Sequence, residues 1–326
     1  MKLATIRTGQ PDGRLAVVSR DLKRMSLVDG IADTLQHALD RWEELQPRLS
    51  ERYASLNTGQ IEGEPFDMAR AHSPLPRAFQ WCDGSTYLAH GRRMSAWRNL
   101  PFDESHYNEP LMYQGSSDAF LAPTEDIPFV DADWGLDYEG EVAVIIGNVQ
   151  LGATVHEAAS AIALVMICND VSLRNLIPPE LAKGFGFVQS KPASAFSPVA
   201  VTPDELGSAW NNCRLHLPLC SYVNGELFGR PNASEMKHGF DQLIAHAAKT
   251  RRLSAGTIVG GGTVANDDPA VGASCLVERR VMESLRDGSI KTPFLKEGDQ
   301  VRIEMLDLKG NSVFGAITQK ISRVRH

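Results

Sequence analysis

Apolar and polar positions alternate from the first residues of the chain. The stretches LATIR (3–7) and LAVVS (15–19) flank a PDGR turn, which predicts a β-hairpin over residues 1 to about 22. The period then changes. Ile31, Leu35, Leu39, Trp42 and Leu45 recur at helical spacing, and Pro47 reads as the opening of a second helix once the first has ended. These elements predict a small α/β N-terminal domain over residues 1–76, closed by the proline-containing connector His72-Ser73-Pro74-Leu75-Pro76. From residue 77 to 326 the texture is different: Gly, Pro and Asp are frequent and apolar runs are short, as in a β-rich domain with few helices. Thr154-Val155-His156-Glu157 has the form of a capping box and predicts a helix that feeds an apolar strand, Ala163 to Cys168, ending at Asn169-Asp170. A further helix is expected from about Glu235 to Lys249. Lys296 to Asp299 reads as a turn, and VRIEML after it alternates as a strand. The pattern as a whole predicts an α+β, β-rich fold.

One segment breaks the pattern. DYEGEVAVIIG (137–147) places Glu139 and Glu141 beside an apolar run that any buried strand could use. Side chains alternate faces along a strand, so these two acids point the same way, about 7 Å apart. Facing water, they need no explanation. Enclosed, each costs several kcal/mol unless compensated, and a divalent cation with oxygen ligands is the simplest compensation.

Composition narrows the function classes. The formal charge is −7 with Lys and Arg scattered, so neither a nucleic-acid surface nor an anionic-membrane partner is expected. The five cysteines, Cys82, Cys168, Cys213, Cys220 and Cys275, are odd in number and form no CxxC pair, which suits reduced thiols in a cytoplasm. The N-terminus shows no long apolar core of a signal peptide, and the longest apolar run, Ala161 to Cys168, is too short to cross a bilayer.

Other acids stand where a strand ends. Asp170 closes an apolar strand, and Asp83 follows a short aromatic one in FQWCDGSTYLAH. With Glu139 and Glu141 they could form a hard-cation site of the Mg²⁺ or Ca²⁺ kind, although an Asp before a turn is also an ordinary loop residue. Arg174 in NDVSLRN and Lys191 in FVQSKPASAFSP are surface charges by default; beside a metal, either could hold a carboxylate or a developing oxyanion. His90 with Glu278 could take a proton from water. The chain has no GxSxG, HExxH or GxxxxGK[ST] motif. GGGTVA (260–265) fits a dinucleotide pattern formally, but Asn-Asp-Asp-Pro follows where the helix should run, so a tight turn or close backbone approach is expected.

In order along residues 77 to 322, these segments resemble the fumarylacetoacetate hydrolase family, bacterial short form. DYEGEVAVIIG is similar to its E-x-E metal strand, and NDVSLRN to the segment where an Asp ligand precedes an Arg by four residues. The seven-residue step from Asp83 to His90 matches that between its first metal acid and its histidine. MYQG (112–115) resembles its substrate-tyrosine segment, GGGTVAN its glycine-rich turn, and EGDQVRIEM its closing strand. The resemblance implies a mixed β-roll, usually a cytoplasmic homodimer, with Mg²⁺ or Ca²⁺ (or Mn²⁺) held by Asp83, Glu139, Glu141 and Asp170. It implies His90, backed by Glu278, as general base, with Arg174, Lys191, Tyr113, Ser85 and Thr263 on the substrate. The implied reaction is hydrolysis of a carbon–carbon bond in a 1,3-dicarbonyl acid such as an acylpyruvate or fumarylacetoacetate, as in tyrosine and aromatic catabolism. The competing expectation is a 2-oxo acid decarboxylase, hydratase or isomerase acting, for instance, on oxaloacetate. Two departures stand out: Ile177 replaces the family's Gln, and Ser85 its Tyr.

Overall fold

The computed structural model describes residues 1–325. Its spine is an eleven-stranded sheet, and a separate five-stranded sheet packs against it. The expected N-terminal hairpin forms: Lys2–Ile6 pairs antiparallel with Arg14–Val18. It is not isolated. Lys2–Ile6 also pairs with Ala200–Val201, which pairs with Ile162–Asn169, so the first strands extend the large sheet of the rest of the chain.

Two local expectations are corrected. Pro47 does not open a helix; it lies inside the helix Trp42–Thr58, and the break from the preceding helix Leu35–Asp40 falls at Arg41, whose φ of −128° is not helical. Early in a helix a proline removes few internal hydrogen bonds, so the second helix starts upstream of it. The helix expected from Glu235 starts later, at Phe240, and ends at Ala247. Gly239 caps it, and the residues just before form a single 3₁₀ turn, Ala233–Glu235. The capping box at Thr154 is as expected: its hydroxyl accepts from the Glu157 amide and the Glu157 carboxylate accepts from the Thr154 amide.

Two apolar cores flank the central strands. Along Gly140–Ile146, Val142, Val144 and Ile146 face a core completed by the five-stranded sheet and the helix Phe240–Ala247. Ala143 and Ile145 face the other core, with Trp81, Phe196 and the N-terminal helices. Glu141 belongs by alternation to this second face. No helix among the described residues is long and apolar enough to cross a membrane. All five cysteines are free thiols.

Candidate metal and substrate site

Strand register assembles the site. Four neighbours of the large sheet run in the order Ile162–Asn169, Gly140–Ile146, Ile258–Thr263, Trp81–Gly84, with Met112–Gly115 outermost. Cys168 and Thr263 both sit opposite Glu141, and Tyr113 sits opposite Asp83. Asp170, two residues beyond Cys168, continues the same face. Pairing thus brings Asp170, Glu141, Thr263, Asp83 and Tyr113 to one end of one face, although they are spread over much of the chain.

The glycine run makes this possible. Ile258–Thr263 shifts register between Gly260 and Thr263, and Gly262 adopts φ +83°, a conformation other residues rarely hold. A Cβ on Gly260 would collide with the Asp83 carboxylate and the Trp81 ring; one on Gly262 would meet the Gly84 carbonyl. The Gly262 amide donates to Asp83 at 3.1 Å. The segment is therefore the close backbone approach expected of it.

Asp83, Glu141 and Asp170 each present an oxygen within 4.8 Å of the others, and all three are buried. Both oxygens of Glu141 lack a hydrogen-bond partner. Burial, then the charge of Asp170, pushes Asp83 well above the usual carboxylate range. Burial, then the charge of Asp83, does the same to Glu141. Glu139 differs. It accepts from Arg174 Nη2 at 2.7 Å and from Lys191 Nζ at 2.5 Å. Burial alone would raise it, but these two cations hold it well below the usual range. Lys191 also donates to Asp170 Oδ2 at 2.5 Å and to Ser172 at 2.9 Å. Tyr113 donates to Asp170 at 2.7 Å, and so does Ser194. Of the four acids singled out in the sequence, three cluster as an oxygen cage. The fourth adjoins it through Lys191.

Beside the cage, His90 Nδ1 lies 3.0 Å from Glu278 Oε1, which also receives Arg93 at 3.3 Å. Each partner sits on a helix not anticipated from the sequence, Leu88–Trp97 and Leu276–Asp287. A cavity of about 320 Å³ is lined by Asp83, Ser85, His90, Tyr113, Glu139, Glu141, Arg174, Lys191 and Thr263. Its remaining wall is mainly apolar and includes Met94, Trp97, Leu111, Ile177 and Phe187. The residues that sequence reasoning missed are Asp137, which holds Arg174 Nε at 2.8 Å, Ser194 on Asp170, and Arg93 on Glu278. Asp137 ends the short strand Leu136–Asp137 two residues before Glu139, and that spacing is the one signal that could have found it.

Comparison with known proteins accords with this geometry. The family profile described as fumarylacetoacetate (FAA) hydrolase C-terminal matches residues 80–322, and that described as fumarylacetoacetase N-terminal domain 2 matches residues 1–77. A mitochondrial oxaloacetate tautomerase of Bos taurus is 26% identical over 231 residues, 70% of this chain and 63% of that protein. The match thus spans less than two thirds of that relative's length. A 2,4-didehydro-3-deoxy-L-rhamnonate hydrolase of Sphingomonas sp. is 27% identical over 231 residues, covering 70% of this chain and 69% of its own. Maleylpyruvate hydrolase from Sphingobium sp. SYK-6, solved with manganese(II) and pyruvate, shares the fold with a TM-score of 0.66 at 17% identity, both chains being covered in full.

Proposed function

The chain belongs to the fumarylacetoacetate hydrolase family, and within it we propose a metal-dependent hydrolase that cleaves a carbon–carbon bond in a 1,3-dicarbonyl acid of the acylpyruvate or fumarylacetoacetate type. The observation that carries this reading is the His90–Glu278 pair opening onto the same cavity as the carboxylate cage and two cations. That pair can take a proton from water and return one to carbon, the two transfers this cleavage requires.

The donor set fits a hard divalent cation. All candidate ligands are carboxylate oxygens, and Glu141 is buried with both oxygens free. Asp83, Glu141 and Asp170 would hold Mg²⁺, Ca²⁺ or Mn²⁺, with Glu139 as a fourth ligand. Bound there, the cation supplies Lewis-acid polarisation of the substrate's oxygens.

The chain's own groups do the rest. Arg174 and Lys191 hold the carboxylate and enolate oxygens, and Thr263, Ser85 and Tyr113 line the same space. Glu278 can only accept from the histidine, so Nδ1–H points to it and Nε2 is left to take a proton from water. Water adds to the distal carbonyl carbon. The adjoining carbon–carbon bond breaks, its electron pair passes to the enolate, and His90 returns the proton to carbon. The apolar wall houses the acyl group.

The oxaloacetate tautomerases among the relatives favour a second reading, proton exchange on a 2-oxo diacid through the same enolate without water addition. A panel of acylpyruvates and oxaloacetate with added Mg²⁺ or Mn²⁺ separates the two. For the hydrolase, His90→Ala abolishes acylpyruvate turnover and leaves metal affinity nearly unchanged. If the variant keeps full activity on oxaloacetate while wild type cleaves no acylpyruvate, the second reading replaces the first.

A further inference from the structure

Asp137 is fully buried, and its carboxylate joins three parts of the molecule. Arg174 Nε donates to Oδ2 at 2.8 Å. The amides of Leu276 and Val277 donate to Oδ1 and Oδ2 at 2.7 and 3.0 Å. Its neighbour's amide, Tyr138 N, donates to Oδ1 at 2.8 Å. A carboxylate so enclosed is unfavourable unless its oxygens are met by charge and donors, and four donors meet it here.

The helix Leu276–Asp287 needs that carboxylate. Its N-cap is Cys275, which makes no side-chain capping bond. A thiol is a poor acceptor for the first free amides of a helix. Asp137, far away in sequence, takes the two amides instead. It thereby fixes the first turn, and that turn carries Glu278. Backbone contacts stitch the same junction: Glu139 bridges Cys275, and the Gly140 amide donates to the Ser274 carbonyl at 2.8 Å. On its other side Asp137 sets the guanidinium whose Nη2 reaches Glu139.

We propose that Asp137 is a positioning residue that fixes the substrate-anchoring Arg174 and the Glu278-bearing helix relative to one another, so that the bound carboxylate and the activated water meet in register. The inference rests on the roles given above to Arg174 and to His90–Glu278. Nothing in it requires Asp137 to touch substrate. Asp137→Asn keeps the shape but must turn an NH₂ group toward either the guanidinium or the helix amides, and both are donors.

The test uses the full-length, Mn²⁺-loaded protein as wild type, Asp137→Asn, Arg174→Met and the double variant, with oxalate as probe. Asp137→Asn is expected to weaken oxalate binding by about tenfold or more, as loss of a supporting hydrogen bond does at such sites. In the Arg174→Met background the same change is expected to cost less than about threefold, because coupled residues are not additive. The acid limb of kcat/KM against pH is expected to move in Asp137→Asn, since Glu278 no longer stands correctly against His90. Hydrogen exchange at the Leu276 and Val277 amides of the metal-free protein should quicken. Equal loss of oxalate affinity in both backgrounds, or no loss together with an unmoved pH profile, would overturn the proposal. If wild type binds no oxalate, the proposed function fails; the exchange rates then decide the helix half of the link alone, and unchanged rates overturn it.

Discussion

Replacing Glu141 by Gln should stabilise the metal-free protein and abolish its response to metal. In the folded chain Glu141 is buried and shares its cage with Asp83 and Asp170, with no donor on either oxygen. Its pKa is pushed well above the ordinary value, first by burial and then by Asp83. The sign follows from linkage. Above the unfolded pKa of about 4.3 the unfolded chain loses this proton while the folded chain keeps it. The folded state then binds more protons, so stability falls as pH rises, by up to about 1.4 kcal/mol per pH unit for this group. Asp83, shifted the same way, adds to the slope. Wild type in EDTA should therefore lose stability as pH rises from 5.5 to 7.5, and Glu141→Gln should lose less. Urea unfolding at the two pH values, with and without chelator, measures both slopes. Adding Mn²⁺ at one hundred times its Kd should return about 2.7 kcal/mol to wild type and almost nothing to the variant. A variant less stable than wild type in EDTA at pH 7.5, or a wild type whose metal-free stability is flat over this range, would refute the picture of an acid cage in which Glu141 stands uncompensated.

Other expectations follow from single contacts. Gly260→Ala drives a methyl into the Asp83 carboxylate and the Trp81 ring; overpacking of this kind costs about 1–3 kcal/mol, and metal affinity measured by calorimetry should fall with it. Arg174→Lys cannot span Asp137 and Glu139 together, so KM for a 2-oxo acid should rise at least about tenfold while the fold is retained; an unchanged KM would remove Arg174 from the substrate. Lys2 is buried and its pKa is lowered to about 8, mainly by burial. The unfolded chain keeps that proton to higher pH, so the cost is fully present below pH 8 and relieved as pH rises toward 10.5. Lys2→Met should thus gain about 1–2 kcal/mol at pH 7 and progressively less by pH 10; a difference in urea midpoint that does not shrink contradicts this.

Much of this was legible along the chain. Alternation located the N-terminal hairpin, and unbroken apolar runs located the acidic strand and the strand that ends just before Asp170, because a strand buried on both faces reads as a continuous apolar segment. The two acids in DYEGEVAVIIG were legible as an anomaly, since charge beside a buried run demands compensation. The capping box at Thr154 was legible because its partners lie three residues apart. Two helices without such a capping signal were not. Leu88–Trp97 and Leu276–Asp287 lack a side-chain cap of their own, and both are held by contacts with distant segments. Pro47 misled because a proline's tolerance depends on where the helix begins, which Arg41 decides.

Chemistry of the acids belonged to the sequence; their division of labour belonged to the fold. Which carboxylates stand bare and which are paired depends on where Lys191 and Arg174 reach across strands, and no spacing encodes that. Asp137 shows the limit most plainly. Its neighbours in sequence mark it only as one more acid on a strand, while its partners lie 37 and about 139 residues away. Hydrogen bonds act over about 3 Å of space whatever the separation along the chain, so local pattern fixes faces and periods, and only the closed fold fixes which charges meet.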